Sequence, residues 1–140
     1  MHRMERSKVY ILKISNMEKY LASYDQCLAL KELGFRERVN YYFEDGALKI
    51  HPTVTGWDFN TSFTTCISRP TRAQVFEWFR EKYDTESHIE YCPSSEDDIV
   101  YYFYFFTAND DYESITYGTY EEAEDKCIEF LINIVKNEYL

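Results

Sequence analysis

Six consecutive aromatic residues, Tyr101 to Phe106, constrain the fold of this chain more than any other feature. Side chains alternate between the two faces of a β-strand, so a strand here needs a partner for each of two aromatic faces. Phe103 and Phe105 lie on the face that we expect to pack against helices. Tyr102 and Tyr104 lie on the opposite face, whose hydroxyl groups suit a surface that is half in contact with water.

Three explanations for the tyrosine-bearing face stay open on sequence grounds. The stretch Pro52 to Pro70 contains Trp57, Phe59 and Phe63 and has little periodicity, so we interpret it as a long loop that covers this face. The N-terminal strand would be an alternative cover. A second copy of the chain would also cover the face as a symmetric dimer, and an uncovered face would serve as a ligand platform.

Three capping-box patterns predict three helices, because a hydroxyl at the N-cap and an amide or carboxylate three residues later satisfy orphan backbone N–H groups. The pairs are Ser23 with Gln26, Thr71 with Gln74, and Thr119 with Glu122. The helices predicted from them cover residues 24–33, 71–83 and 120–137. We expect the first helix to end at Gly34 and to bury Tyr24, Cys27 and Leu28.

Asp45-Gly46 predicts a type I′ turn, and therefore a hairpin that joins Val39 to Phe43 with Ala47 to His51. Further strands are predicted over residues 87–92, 99–107 and 113–117, with Ile89 and Tyr91 facing the helices. We expect an α+β fold, in which a mostly antiparallel sheet of about five strands has three helices packed mainly on one face. A single domain over residues 17–140 would then follow a basic N-terminal segment, residues 1–16, with a predicted strand.

The charge distribution excludes direct nucleic-acid binding by a large part of the chain. The formal net charge is −10, and residues 84–125 contain thirteen Asp and Glu residues and no Lys or Arg. Nucleic-acid affinity depends chiefly on Lys and Arg, so this segment should repel DNA and RNA. A field of one sign instead steers a partner of opposite charge, and we therefore predict a basic protein as partner.

The predicted partner-binding residues combine charge with amphipathic aromatic rings. They are Asp97, Asp98, Asp110, Asp111 and Glu113 for charge, with Tyr102 and Tyr104 as anchors. Asp97 and Asp98 fall in one turn and Asp110 and Asp111 in another, at opposite ends of the aromatic strand, and Glu113 begins the strand that follows. Tyrosine concentrates binding energy at interfaces. A solvated acidic surface with no partner is the alternative interpretation of the same residues.

Signatures of catalysis are weak throughout. The three histidines and four cysteines lack zinc spacing, no nucleotide-binding glycine pattern occurs, and we expect no cofactor, no metal and reduced cysteines. The least favoured alternative is a metal-dependent enzyme in which turn carboxylates such as Asp97 and Asp98 hold Mg²⁺. No stretch approaches the roughly 20 apolar residues of a membrane span or forms an export signal, which predicts a cytoplasmic protein.

Three stretches carry a resemblance to a known group of proteins: "SYDQCLALKELGF", "SRPTRAQVFEWFREKYDTESHIEY" and "YGTYEEAEDKCIEFLINIV". Together they resemble small uncharacterised proteins of Bacteroides-type phages and prophages. The resemblance implies an accessory protein of a phage or mobile element, and it implies no functional residues. We therefore expect a non-enzymatic protein that binds a basic host protein, in one form an anti-CRISPR-like inhibitor of a nucleic-acid-handling defence enzyme. The alternative is a structural homodimer built on the aromatic sheet face.

Overall fold

The computed structural model of the chain describes residues 16–93 and 99–139. These residues form two compact units, one that ends at Thr71 and one that begins at Arg72. Each unit combines helices with a three-stranded antiparallel sheet, which confirms the α+β class. Residues 1–15, which contain the predicted N-terminal strand, lie outside the described residues. The single domain over residues 17–140 stays a prediction.

The first unit places its sheet between two α-helices of unequal length. Its elements are a 3₁₀ helix Glu18–Tyr20, α1 Tyr24–Glu32, β1 Tyr41–Glu44, β2 Ala47–Ile50, α2 Phe59–Ser62 and β3 Cys66–Arg69. Strand β1 is central, with β2 on one side and β3 on the other. The buried side chains of Cys27, Leu30, Phe35 and Val39 form its core.

The capping box predicted for α1 is present. The backbone N–H of Gln26 donates to the Ser23 hydroxyl over 3.2 Å, and the Ser23 N–H donates to the Gln26 side chain over 2.9 Å. The prediction that Tyr24 is buried was wrong, because this ring is 42% exposed, although it makes an edge-to-face contact with Phe43. Gln26 is buried in its place, since its side chain folds back onto the start of the helix.

The hairpin forms as predicted, with positive φ angles of 50° at Asp45 and 81° at Gly46. The prediction of one long loop from Pro52 to Pro70 was wrong. That stretch contains α2 and β3, each four residues long. Elements this short show no measurable periodicity.

The second unit packs two α-helices against a meander of three strands. Its elements are α3 Arg72–Tyr83, β4 Glu86–Pro93, β5 Ile99–Phe106, β6 Asp111–Glu113 and α4 Tyr120–Tyr139. The aromatic strand β5 is central. Phe103 and Phe105 are buried, as predicted, with their ring centroids 5.4 and 5.3 Å from that of Phe130 on α4.

The prediction of one sheet of about five strands with three helices was wrong. The described residues form two three-stranded sheets and four α-helices. The reason is β3, which pairs with the free edge of β1 and completes a separate sheet in the first unit. Tyr42 therefore does not share a sheet with Tyr102 and Tyr104.

Two smaller predictions in the second unit also need correction. Tyr91 is 56% exposed instead of buried, because it lies near the end of the edge strand β4. Strand β6 ends at Glu113, where the predicted strand began. At Ser114 the ladder changes, because the Phe103 N–H donates to the Ser114 hydroxyl over 2.8 Å in place of a backbone carbonyl.

Within residues 16–93 and 99–139, no helix has the length and the apolar content that crossing a bilayer requires.

Candidate functional site

The sheet face of the second unit that lies opposite Phe103 and Phe105 brings carboxylates and tyrosines together. The strand register fixes this arrangement: Tyr104 lies opposite both His88 and Glu113, and Tyr102 lies opposite Glu90. We call this surface the acidic tyrosine face. Its residues are Glu86, His88, Glu90, Tyr102, Tyr104, Phe106, Asp111 and Glu113.

The two tyrosines are held in different ways. The Tyr104 hydroxyl donates to the Asp111 carboxylate over 2.9 Å. This hydrogen bond, together with the negative charge of Asp111, raises the pKa of Tyr104, so the phenol stays protonated. Partial burial raises the pKa of Tyr102, and the charges of Glu113 and Glu90 add to the effect. Both rings therefore present neutral hydroxyl groups among carboxylates.

The charge of this face is of one sign. Glu86, Glu90, Asp111 and Glu113 are all exposed, and strands β4, β5 and β6 contain no Lys or Arg. The imidazole of His88 stacks on Phe106, with 5.8 Å between ring centroids. Carboxylates fixed on strands that contain no Lys or Arg produce a local negative potential that attracts a cationic partner.

The face is supported from behind by the core of the unit. Helix α4 buries Ala123, Cys127 and Leu131. Ile128 and Val135 are buried as well. The sheet packs against this helix. The carboxylates and tyrosines of the face lie on regular strands and not in a loop.

The predicted site residues divide into three groups. Tyr102, Tyr104, Asp111 and Glu113 are brought together on the acidic tyrosine face. Asp110 is exposed in the turn before β6, where its carbonyl accepts from the Thr107 N–H over 2.8 Å. Asp97 and Asp98 lie outside the described residues.

Two carboxylates of the face, Glu86 and Glu90, were not among the predicted site residues. The signal for them was the alternation of Glu86, His88 and Glu90 along β4, which assigns all three to one face.

Neither thiol chemistry nor metal binding finds support in the described part of the chain. The four cysteines are free, and burial raises the pKa of Cys27 and of Cys127 to about 12, which keeps both thiols protonated and unreactive. Across residues 16–93 and 99–139, no group of three His, Cys, Asp or Glu side chains is placed to hold a metal ion. Asp97 and Asp98, which the metal-enzyme alternative uses, are not among those residues.

Comparisons with protein families, with curated proteins and with solved structures found no match to this chain. The resemblance to phage proteins therefore stays a prediction.

Proposed function

We propose that the chain is a non-enzymatic binding protein whose acidic tyrosine face occupies a basic surface of a partner protein. The observation that carries this proposal is the register of the second sheet. It puts Glu86, Glu90, Asp111 and Glu113 on the same face as Tyr102 and Tyr104, with no Lys or Arg on the three strands.

The two residue types contribute differently to such an interface. Exposed carboxylates raise the association rate and select a partner of positive charge. Tyr102 and Tyr104 are half-buried, so they offer apolar ring surface whose position is already fixed, at a small cost in side-chain entropy. The hydrogen bond between Tyr104 and Asp111 further restricts the Tyr104 ring.

A basic partner is favoured over a second copy of the chain. A symmetric dimer through this face would bring the same carboxylates of two copies together, and like charges in an interface oppose association. The structural homodimer built on the aromatic sheet face, which is the alternative, would have to overcome this repulsion. Its test is the mass of the protein in solution at neutral pH and high salt.

In its narrower form, the proposal has a nucleic-acid-handling defence enzyme of the host as partner. Such enzymes present basic surfaces to bind phosphates. A rigid array of carboxylates would compete for those surfaces, and the chain would then be an anti-CRISPR-like inhibitor. The resemblance to phage proteins supports this choice of partner. Normal nuclease activity in the presence of excess protein would contradict the narrower form alone.

The direct test is capture of host proteins from a Bacteroides lysate that has been treated with nuclease. The wild type is compared with a variant that carries Glu90→Lys, Asp111→Lys and Glu113→Lys. We expect the wild type to retain a basic protein at low salt and release it at high salt, because exposed charge pairs are screened. The variant should retain at least about tenfold less of it, since three contacts become repulsive.

A matched control changes the net charge equally at exposed carboxylates that do not belong to the face, with Glu37→Lys, Glu77→Lys and Glu81→Lys. This control should retain the same partner, within the effect of overall charge. Equal loss in both variants would show that only net charge matters and would refute the acidic tyrosine face as the binding surface.

A further inference from the structure

The first unit contains a concave pocket of about 430 Å³ that the proposed function does not use. Four aromatic rings line it, from Tyr42, Trp57, Phe59 and Phe63, together with the more polar Glu44 and His51. A cleft of this size, mostly apolar and with a few polar groups, has the character of a small-molecule site.

The floor of the pocket is fixed before any ligand arrives. The rings of Tyr42 and Phe59 stack with 3.9 Å between centroids. Helix α2 is fastened to β3, because the Phe59 N–H donates to the Ser68 hydroxyl over 3.0 Å and the Ser68 N–H donates to the Asn60 side chain over 2.8 Å. Asn60 also donates to the Phe35 carbonyl over 2.9 Å.

The mouth of the pocket leaves two large rings partly in water. Trp57 is 44% exposed and Phe63 is 48% exposed. The backbone of Trp57 is held nonetheless, because its N–H and carbonyl form a pair of hydrogen bonds with Val39, of 2.9 and 3.0 Å. Apolar rings that are fixed in position and only half covered are available to contact a ligand.

The charge at the pocket selects the class of ligand. Among the lining residues that the structure describes, Glu44 is the one with a full charge, and it forms no ion pair with another described residue. The Lys31 ammonium does not line the pocket, but it donates to the carbonyl of the lining residue Cys66 over 2.7 Å. Glu44 is exposed and lies two residues after Tyr42 on β1, so its carboxylate is on the same face of the strand as the Tyr42 ring. Lys49 lies opposite Tyr42 on β2 but does not line the pocket.

We propose that this pocket binds a small organic cation, an alkylated ammonium group on an apolar or aromatic body. Ring faces carry negative electrostatic potential and attract such a cation, most strongly at Trp. The alkyl groups and the body would cover the exposed parts of Trp57 and Phe63, and the carboxylate of Glu44 would balance the charge. The acidic tyrosine face contributes no residue to this site, so either proposal can fail without the other.

The test compares two probes that differ mainly in charge, benzyltrimethylammonium and the neutral 3-phenylpropanol. Binding is followed on the full chain by amide and indole chemical shifts in a heteronuclear NMR titration. For ligands of this size we expect dissociation constants in the millimolar range or tighter. The cation should bind on the order of tenfold more tightly than the alcohol, and the Trp57 indole signal should shift at saturation.

Variants locate the site. Glu44→Gln should reduce the affinity for the cation on the order of tenfold and leave the affinity for the alcohol unchanged. Trp57→Ala should weaken both probes, whereas Tyr91→Ala removes an exposed ring elsewhere and should weaken neither. Equal affinity of both probes, absence of shifts, or unchanged binding by Trp57→Ala would overturn the proposal. Amide spectra of each variant confirm that it is folded.

Discussion

Replacing Gly56 by alanine should lower the free energy of unfolding more than the same replacement at Gly46 or Gly118. The backbone of Gly56 has φ of +68°, and a Cβ atom built there would lie 2.7 Å from the carbonyl oxygen of Val39 and 2.9 Å from its carbonyl carbon. Both neighbours are backbone atoms, so no side-chain rotation relieves the overlap. The backbone of Val39 must move away from the segment that carries Trp57.

Two other glycines separate the causes of this effect. Gly46 has φ of +81° with nothing within 4 Å of its Cβ position, and Gly118 has an open Cβ position and no positive φ. Alanine at a left-handed position costs roughly 1–2 kcal/mol, offset in part by about 0.4–1 kcal/mol from the less flexible unfolded chain. We therefore expect Gly46→Ala to cost about 1 kcal/mol and Gly118→Ala to cost nothing.

Gly56→Ala carries the same conformational strain and also breaks the two hydrogen bonds between Val39 and Trp57, each worth about 1 kcal/mol. The total is about 3 kcal/mol. Urea unfolding, monitored by far-ultraviolet circular dichroism, gives the free energy of unfolding of all three variants. Where the chain unfolds in two steps, Gly56→Ala should lower the urea midpoint of one step only. A cost for Gly56→Ala no larger than that for Gly46→Ala would refute the close approach to Val39.

Three further predictions concern the capping box, the buried thiols and the tyrosine hydrogen bond. Ser23→Ala should lower the free energy of unfolding by about 1 kcal/mol, because it removes the N-cap acceptor; an unchanged urea midpoint would contradict it. Cys27 and Cys127 should resist iodoacetamide at pH 8 until the chain is unfolded, and labelling of the native protein would disprove their burial. Since the pKa of both thiols rises from 9.0 to about 12 on folding, the unfolded chain loses these protons first, and the free energy of unfolding should fall as the pH rises above 9. Asp111→Asn should lower the pKa of Tyr104, measured by NMR of its ring carbons, and an unchanged pKa would show that the Tyr104 hydroxyl does not donate to Asp111.

Long, strongly patterned segments were predictable from sequence because one local rule decides each of them. The capping box at Ser23 fixed the start of α1, and Asp45-Gly46 fixed the hairpin turn. In β5, strict alternation assigned Phe103 and Phe105 to the helix-packed face. These signals depend on neighbouring residues alone.

The division into two sheets was not predictable in the same way, because it depends on a contact between distant residues. Strand β3 has four residues and pairs with β1 across more than twenty positions of the chain. Helix α2 is held against β3 by hydrogen bonds that the side chains of Asn60 and Ser68 accept, and no periodicity in the sequence predicts such bonds. The composition of residues 66–69 predicted a loop, whereas their pairing with β1 gives a strand.

The type of candidate site was predictable from the sequence, but only some of its residues were. A stretch with many carboxylates and no bases indicated an acidic surface, and alternation placed Tyr102 and Tyr104 together. The register between β5 and β6 was needed to show that Glu113 lies beside Tyr104. The contribution of Glu90 depended in turn on the register with β4, where it lies opposite Tyr102.

The measurement that tests the central claim most directly is zero-length cross-linking of the wild-type chain to the partner it captures. A carbodiimide joins a carboxylate to a lysine amine only where the two are in contact, so the cross-linked peptides identify the surface that binds. We expect links from Glu90, Asp111 or Glu113 to lysines of a basic protein. Links that involve only carboxylates outside the acidic tyrosine face, such as Glu37 and Glu77, would contradict binding through this face.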